Sequence, residues 1–258
     1  MQDAAAAPGL PDLNDTLLEW YRASRRDLPW RRTTDPYAIL VSEVMLQQTQ
    51  VARVVPRYEA WLERWPTAVA LAGASAADVL REWVGLGYNR RALRLREACA
   101  VVSQCGWPDD LTELPGVGPY TAAAVAAFAF GRDTVALDTN VRRLFRRLGR
   151  ELAPRTGEGP VFNQATIELG ALVCRAQAPR CGACPLESAC SWGGDAPRER
   201  PAAVRFEDTD RWVRGRIVAA LAAGEALPEV EAERLERALA GLAQDGLIRR
   251  DGDALRLG

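Results

Sequence analysis

Cys174, Cys181, Cys184 and Cys190 stand in the pattern C-x6-C-x2-C-x5-C, four thiols within 17 residues. No segment can gather four thiols so closely without folding back on itself, and Pro179 and Pro185 stiffen the turn it must make. Four thiolates at this spacing can enclose one tetrahedral metal ion or one cubane cluster. The spacing leaves zinc and iron–sulfur equally open, with structural disulfides as the plain alternative. Met1 to Leu10 carry no basic stretch ahead of an apolar one, so no secretory signal is read. The longest apolar stretch, Thr121 to Phe130, is too short to span a bilayer, and no membrane partner is expected. A cytoplasmic, reducing setting follows, in which cysteines serve metals rather than disulfides. Cys99 and Cys105 lie elsewhere and are expected to be buried thiols.

Two absences narrow the chemistry. The chain has no histidine, and each of its 33 basic residues is an arginine. A Ser-His-Asp triad, a histidine-ligated zinc and a histidine general base are excluded. Without lysine, no side-chain amine can form a Schiff base with a sugar aldehyde. The net charge of -1 gives no global basic signature. The arginines cluster at Arg90–Arg96 and Arg142–Arg147, and either cluster reads as a solvated helix face or as a set of phosphate contacts.

With 258 residues the chain can bury one large core or two modest ones. Apolar periodicity predicts helices over Leu13–Tyr21, from Pro36 through Leu46, and over Val51–Trp65, Ala76–Val84, Arg90–Ser103, Pro119–Phe130, Thr139–Leu148 and Val161–Cys174. Residues 1–12 read as a disordered leader and 196–209 as a linker rich in Gly, Pro and charge. After it, helices over Arg211–Ala223 and Pro228–Gln244 precede two short runs joined by Asp251-Gly252, a hairpin signal. Residues 210–258 are therefore expected to form a small winged-helix-like module after a main domain at 13–195.

Leu114-Pro115-Gly116-Val117-Gly118-Pro119-Tyr120-Thr121 is a glycine-punctuated turn into an apolar helix. Such glycines permit positive φ and close backbone approach, and the helix start can bind a phosphate. A plain helix–helix turn reads the same way. Glu43, within Val41-Ser42-Glu43-Val44-Met45-Leu46-Gln47-Gln48-Thr49-Gln50-Val51, lies in an apolar helical stretch. Burying it is costly unless it is paired or functional.

That string resembles, nearly residue for residue, the catalytic motif of the MutY-type adenine DNA glycosylases. Leu28-Pro29-Trp30-Arg31, Gly85-Leu86-Gly87-Tyr88, the Pro115–Gly118 hairpin, Leu137-Asp138-Thr139-Asn140 and Phe162-Asn163-Gln164-Ala165 are similar to further motifs of that helix-hairpin-helix superfamily, in the same order. The cysteine spacing resembles its [4Fe–4S] loop. The likeness covers about residues 13–195. It implies an all-α, two-lobed glycosylase fold with an iron–sulfur loop at 174–190. It implies a monomer acting on double-stranded DNA that carries a mismatched or damaged base pair.

The resemblance also assigns roles. Glu43 would be the general acid that protonates adenine at N7, its pKa raised by burial. Asp138, oriented by Asn140, would stabilise the sugar cation, alone or as a transient covalent partner. Tyr120 stands where lyase relatives carry their Schiff-base lysine. Gln48 and Tyr88 would enter the gap left by the extruded base. Arg31, Thr49, Leu86, Gly87, Gly116, Val117 and Gly118 would complete the DNA surface, with Arg175 and Arg180 on the cluster loop. Thr139 and Asn89 depart from the family pattern. The stretch after residue 195 is too short for the Nudix-like domain that usually reads 8-oxoguanine. Excision of thymine from T·G or of hypoxanthine, a non-catalytic iron–sulfur DNA-binding regulator, and a zinc-stabilised structural protein are the competing expectations.

Overall fold

The computed structural model describes residues 12–194, 204–251 and 254–258. The expected leader falls outside them except for Asp12, as do residues 196–203 of the expected linker and Gly252-Asp253 of the hairpin turn. The helices are α1 (Leu13–Ser24), α2 (Pro36–Leu46), α3 (Val51–Arg64), α4 (Ala68–Ala72), α5 (Ala76–Trp83), α6 (Arg90–Cys105), α7 (Pro119–Phe130), α8 (Thr139–Leu148), α9 (Gly159–Leu172), α10 (Asp210–Ala223) and α11 (Ala232–Gln244). Strands β1 (Ile248–Asp251) and β2 (Ala254–Leu257) pair antiparallel.

Local chemistry sets these boundaries. Asp12 caps α1 through the amides of Asn14 and Asp15, and Asp35 caps α2 ahead of Pro36. Ser75 caps α5 and Thr209 caps α10. Helix α11 starts at Ala232, later than expected from Pro228, and its N-cap residue is Glu231. Helix α9 stops at Leu172, so Cys174 lies beyond it, with its amide bonded to Leu169 O.

The chain divides into two compact units, each built from two segments. The first comprises Met1–Leu28 and Pro119–Ala196, the second Pro29–Gly118 and Pro197–Gly258. In the first unit, Leu17, Leu18 and Tyr21 of α1 pack with Val141, Leu144, Phe145 and Leu148 of α8 and with Phe162, Ala165 and Leu169 of α9. Glu168, fully buried, accepts bonds from the Arg26 amide, Nε and Nη2. In the second, Trp61 packs edge-to-face on Trp65 and Trp83.

The C-terminal residues do not build a core of their own. Val213, Ile217, Val218, Leu239, Leu242, Ile248 and Leu257 pack with Leu80 of α5, and Ala77, Val84 and Leu93 join them. The two helices and the hairpin read from sequence are present. Their division from residues 13–195 differs, because their apolar faces are completed by α5 and α6. Among the described residues, no helix is long and apolar enough to cross a membrane.

Candidate active site and cysteine loop

Glu43 lies on α2, a helix apolar almost all round, and is 6% exposed. Helix α2 ends at Leu46, and Gln48 in the next turn takes φ 57°. Tyr88, at the end of the Gly85–Tyr88 turn, takes φ 48°. Neither is a glycine, so each position is strained, at roughly 1–3 kcal/mol apiece. The Tyr88 hydroxyl donates to Gln48 Oε1 at 2.5 Å. The two residues expected to enter the duplex are therefore side by side, both exposed.

What holds them was not visible in the sequence. Arg91, on the first turn of α6, sends Nη1 to the carbonyls of Val44 (2.6 Å), Met45 (3.3 Å) and Gln47 (2.7 Å). Its Nη2 reaches Thr49 Oγ1 (3.3 Å), Leu86 O (3.1 Å) and Gly87 O (2.9 Å). One guanidinium thus ties the end of α2 to the Gly85–Tyr88 turn. Burial pushes its pKa down to about 10, so it remains charged at neutral pH.

Other expected DNA contacts divide by burial. Arg31 closes a short 3-10 turn and is half-buried. Leu86 is 4% exposed and Val117 is 7% exposed, so both side chains pack inward and leave only backbone at a surface. Gly116 needs its lack of a side chain: its φ is 78°, and a Cβ would stand 2.7 Å from Arg94 Cβ. Gly118 has neither constraint and is open to an approaching surface.

In the first unit, Asp138 is the N-cap of α8. Its Oδ1 accepts from Val141 N at 2.6 Å and its Oδ2 from Asn140 Nδ2 at 2.7 Å, at the positive end of that helix. The segment leading to it is pinned by buried Asn163, which bonds Ala136 N and Thr134 O. Arg143 Nη2 donates to Asn140 Oδ1 and Gly170 O, and its Nε to Cys174 O, all at 2.8 Å. Gly170 makes this possible, since a Cβ there would meet Asn140 Cβ at 2.9 Å. Tyr120, on the first turn of α7, is half-buried rather than a core aromatic.

Cys174, Cys181, Cys184 and Cys190 line one cavity of about 110 Å³, with Arg147, Pro179 and Trp192. Among the described residues no three potential ligands are gathered tightly enough for a single ion. Buried Arg147 places Nη1 3.7 Å from Cys174 Sγ, bonds Arg175 O at 2.7 Å and stacks over Trp192. The Arg142–Arg147 cluster is thus split: Arg143 and Arg147 brace the cysteine loop, whereas Arg142 and Arg146 line an open cavity of about 470 Å³ with Arg150. Cys105 corrects the expectation of a buried thiol: it ends α6 and is exposed, while Cys99 is buried and its thiol pushed up to about 12.

Residues 41–158 match the model of the HhH-GPD superfamily of base-excision DNA repair proteins. The adenine DNA glycosylase of Mycobacterium tuberculosis is 44% identical, over 93% of this chain and 92% of that protein. The chain belongs to the adenine DNA glycosylase family. Membership is consistent with the fold: a thermostable thymine-DNA glycosylase superposes with a TM-score of 0.64 at 28% identity, over 69% of this chain and 94% of that one. An endonuclease III trapped covalently on DNA superposes with a TM-score of 0.60 at 25% identity, over 69% and 92%. Within this glycosylase family, the geometry above assigns Asn140 to Asp138 and Gln48 to Tyr88 as bonded pairs.

Proposed function

We propose that the protein removes adenine mispaired with guanine or 8-oxoguanine in duplex DNA, leaving an abasic deoxyribose, as a step of base-excision repair. The observation that carries this reading is the 44% identity to an adenine DNA glycosylase over nearly the full length of both chains. Glu43 gives its proton to adenine N7 as the C1′–N9 bond breaks and the bonding electrons leave with the base. Asp138, held by Asn140 and by the α8 amide of Val141, faces the cationic sugar that remains. Water adds at C1′ and gives up one proton, which restores the acid form of Glu43 and leaves the hydroxyl of the abasic sugar. Tyr120 hydrogen-bonds the extruded nucleotide, and Gln48 and Tyr88 fill the space it leaves. Arg31, Thr49, Gly87, the backbone at Leu86 and the Gly116–Gly118 turn contact the DNA. The direct test is single-turnover base release from duplexes carrying A, T, U or hypoxanthine opposite G and 8-oxoguanine. Adenine should be released fastest, and a preference for thymine or hypoxanthine would move the protein to another substrate.

The reaction stops at the abasic site. β-Elimination through a Schiff base needs an amine, and the chain contains no lysine. Product DNA should stay intact until heated or treated with alkali, and borohydride should trap no covalent adduct. A borohydride-trapped complex would contradict this, the N-terminal amine being its remaining source.

The cysteine loop holds a [4Fe–4S] cluster through Cys174, Cys181, Cys184 and Cys190. Support comes from the shared cavity and from Arg147, whose positive charge lies against the Cys174 sulfur. When bound, the cluster is a cross-link that orders the loop carrying Arg175 and Arg180. Cys184→Ser should lose visible absorbance and melt several degrees lower. Colourless wild-type protein containing one equivalent of zinc would refute the assignment.

A further inference from the structure

We infer that the C-terminal residues 204–258 take part in base extrusion, with Arg211 as a positioning residue for the Tyr88–Gln48 pair. The inference rests on the reading of those two residues as the ones that enter the duplex. Arg211 lies on the first turn of helix α10, and its Nη1 donates to the Tyr88 hydroxyl, which itself donates to Gln48 Oε1. The same guanidinium lies 4.9 Å from the ring centroid of Tyr88 and 4.9 Å from that of Phe206. Tyr88 is 41% exposed and Phe206 49%, so the stack stands at the surface rather than in a core.

Nothing in the packing of α10 demands this contact. The helix is seated by Val213, Ile217 and Val218, and it is tied to the start of α6 through Asp245, which pairs with both Arg214 and Arg90. Arg211 instead points at a tyrosine held at positive φ, where the backbone alone would not keep it. A planar cation between two rings, bonded to a hydroxyl, fixes the aromatic plane at little cost in mobility. A fixed, exposed aromatic beside an amide and a guanidinium is a surface suited to stacking on a nucleobase and pairing with a phosphate. The C-terminal residues thereby prepare the element that replaces the departing base.

The test uses the full-length protein and a duplex with 2-aminopurine at the target position opposite guanine. Fluorescence reports unstacking, and release of adenine from the matching A·G duplex is followed under single turnover. Arg211→Ala should reduce both the fluorescence rise and the release rate about tenfold, with an unchanged melting temperature. Arg211→Lys, which keeps the charge but loses the plane, should recover part of the loss. Phe206→Ala should fall in the same direction by less. Tyr88→Ala should lower extrusion too, and adding Arg211→Ala to it should cost little more, because the two act through one contact. Normal or increased extrusion by Arg211→Ala while Tyr88→Ala is impaired would overturn the inference alone. Additive losses in the double variant would do the same. Normal extrusion by Tyr88→Ala would overturn both the inference and the reading beneath it.

Discussion

Glu43→Gln and Asp138→Asn should each still bind a mismatched duplex while releasing adenine about a thousandfold more slowly or worse. The two substitutions preserve shape and remove the carboxyl chemistry. Glu43 is 6% exposed on an apolar helix, so glutamine fills the same volume but cannot supply a proton. Asp138 needs separate treatment because it does two jobs. It caps α8 through Val141 N, and in the proposed mechanism it also carries the charge that faces the sugar. Asparagine is as good an N-cap as aspartate, so Asp138→Asn keeps the helix start through its one oxygen while losing the charge and the bond that Oδ2 accepts from Asn140. Alanine there would mix the two, costing about 1 kcal/mol of stability besides. Equal melting temperatures with collapsed single-turnover rates are the expected signature, and near-normal release by either variant sinks the assignment. The double variant should be little worse than the poorer single one, because in the proposed mechanism the two groups serve one transition state.

How much of this could be read from the chain alone differs by kind of interaction. Helices were legible from their periodic apolar runs, whereas Asp12 and Thr209, read as leader and linker, are the caps of α1 and α10. The carboxylates and the cysteines could be named because motif and spacing are local, and the fold puts Glu43 inside α2, Asp138 at the start of α8 and the four cysteines around one cavity. The arginines were not legible. A run such as Arg90–Arg96 carries the same charge whether it faces phosphate, solvent or the interior, and only the fold separates Arg91 from its neighbours. Leu86 and Val117 were placed on the DNA surface by motif position, yet both side chains are buried. Composition placed a boundary near residue 195, but the core of 204–258 is completed by Leu80, more than a hundred residues earlier. Such long-range partnerships leave no periodicity behind.

Arg91→Met should be the most damaging substitution outside the carboxyl pair and the cysteines. Nothing local favours an arginine there, since a cation in the first turn of α6 works against the helix dipole. Its reason is tertiary. Five carbonyls and one hydroxyl converge on its two terminal nitrogens, and the ring of Trp83 lies 5.3 Å from its guanidinium carbon. Val44, Met45 and Gln47 lie at the end of α2, where helix carbonyls lack a partner within the helix. Methionine fills most of the volume but donates nothing, so several half-buried carbonyls lose their partner at once. A loss of about 3 kcal/mol or more is expected, which for a chain of this size lowers the melting temperature by roughly 6–12 °C. Lysine should rescue little, because a single ammonium cannot serve both turns as the guanidinium fork does. Function should fall even at temperatures where the variant is folded. Gln48 and Tyr88 occupy strained conformations on the two segments that Arg91 joins, and strain persists only while the surroundings enforce it. With the brace gone, both should relax, and extrusion measured with 2-aminopurine should drop more than duplex binding does. A melting temperature within a degree or two of the wild type would mean that the carbonyls find water instead and that Arg91 is not what holds the two turns together.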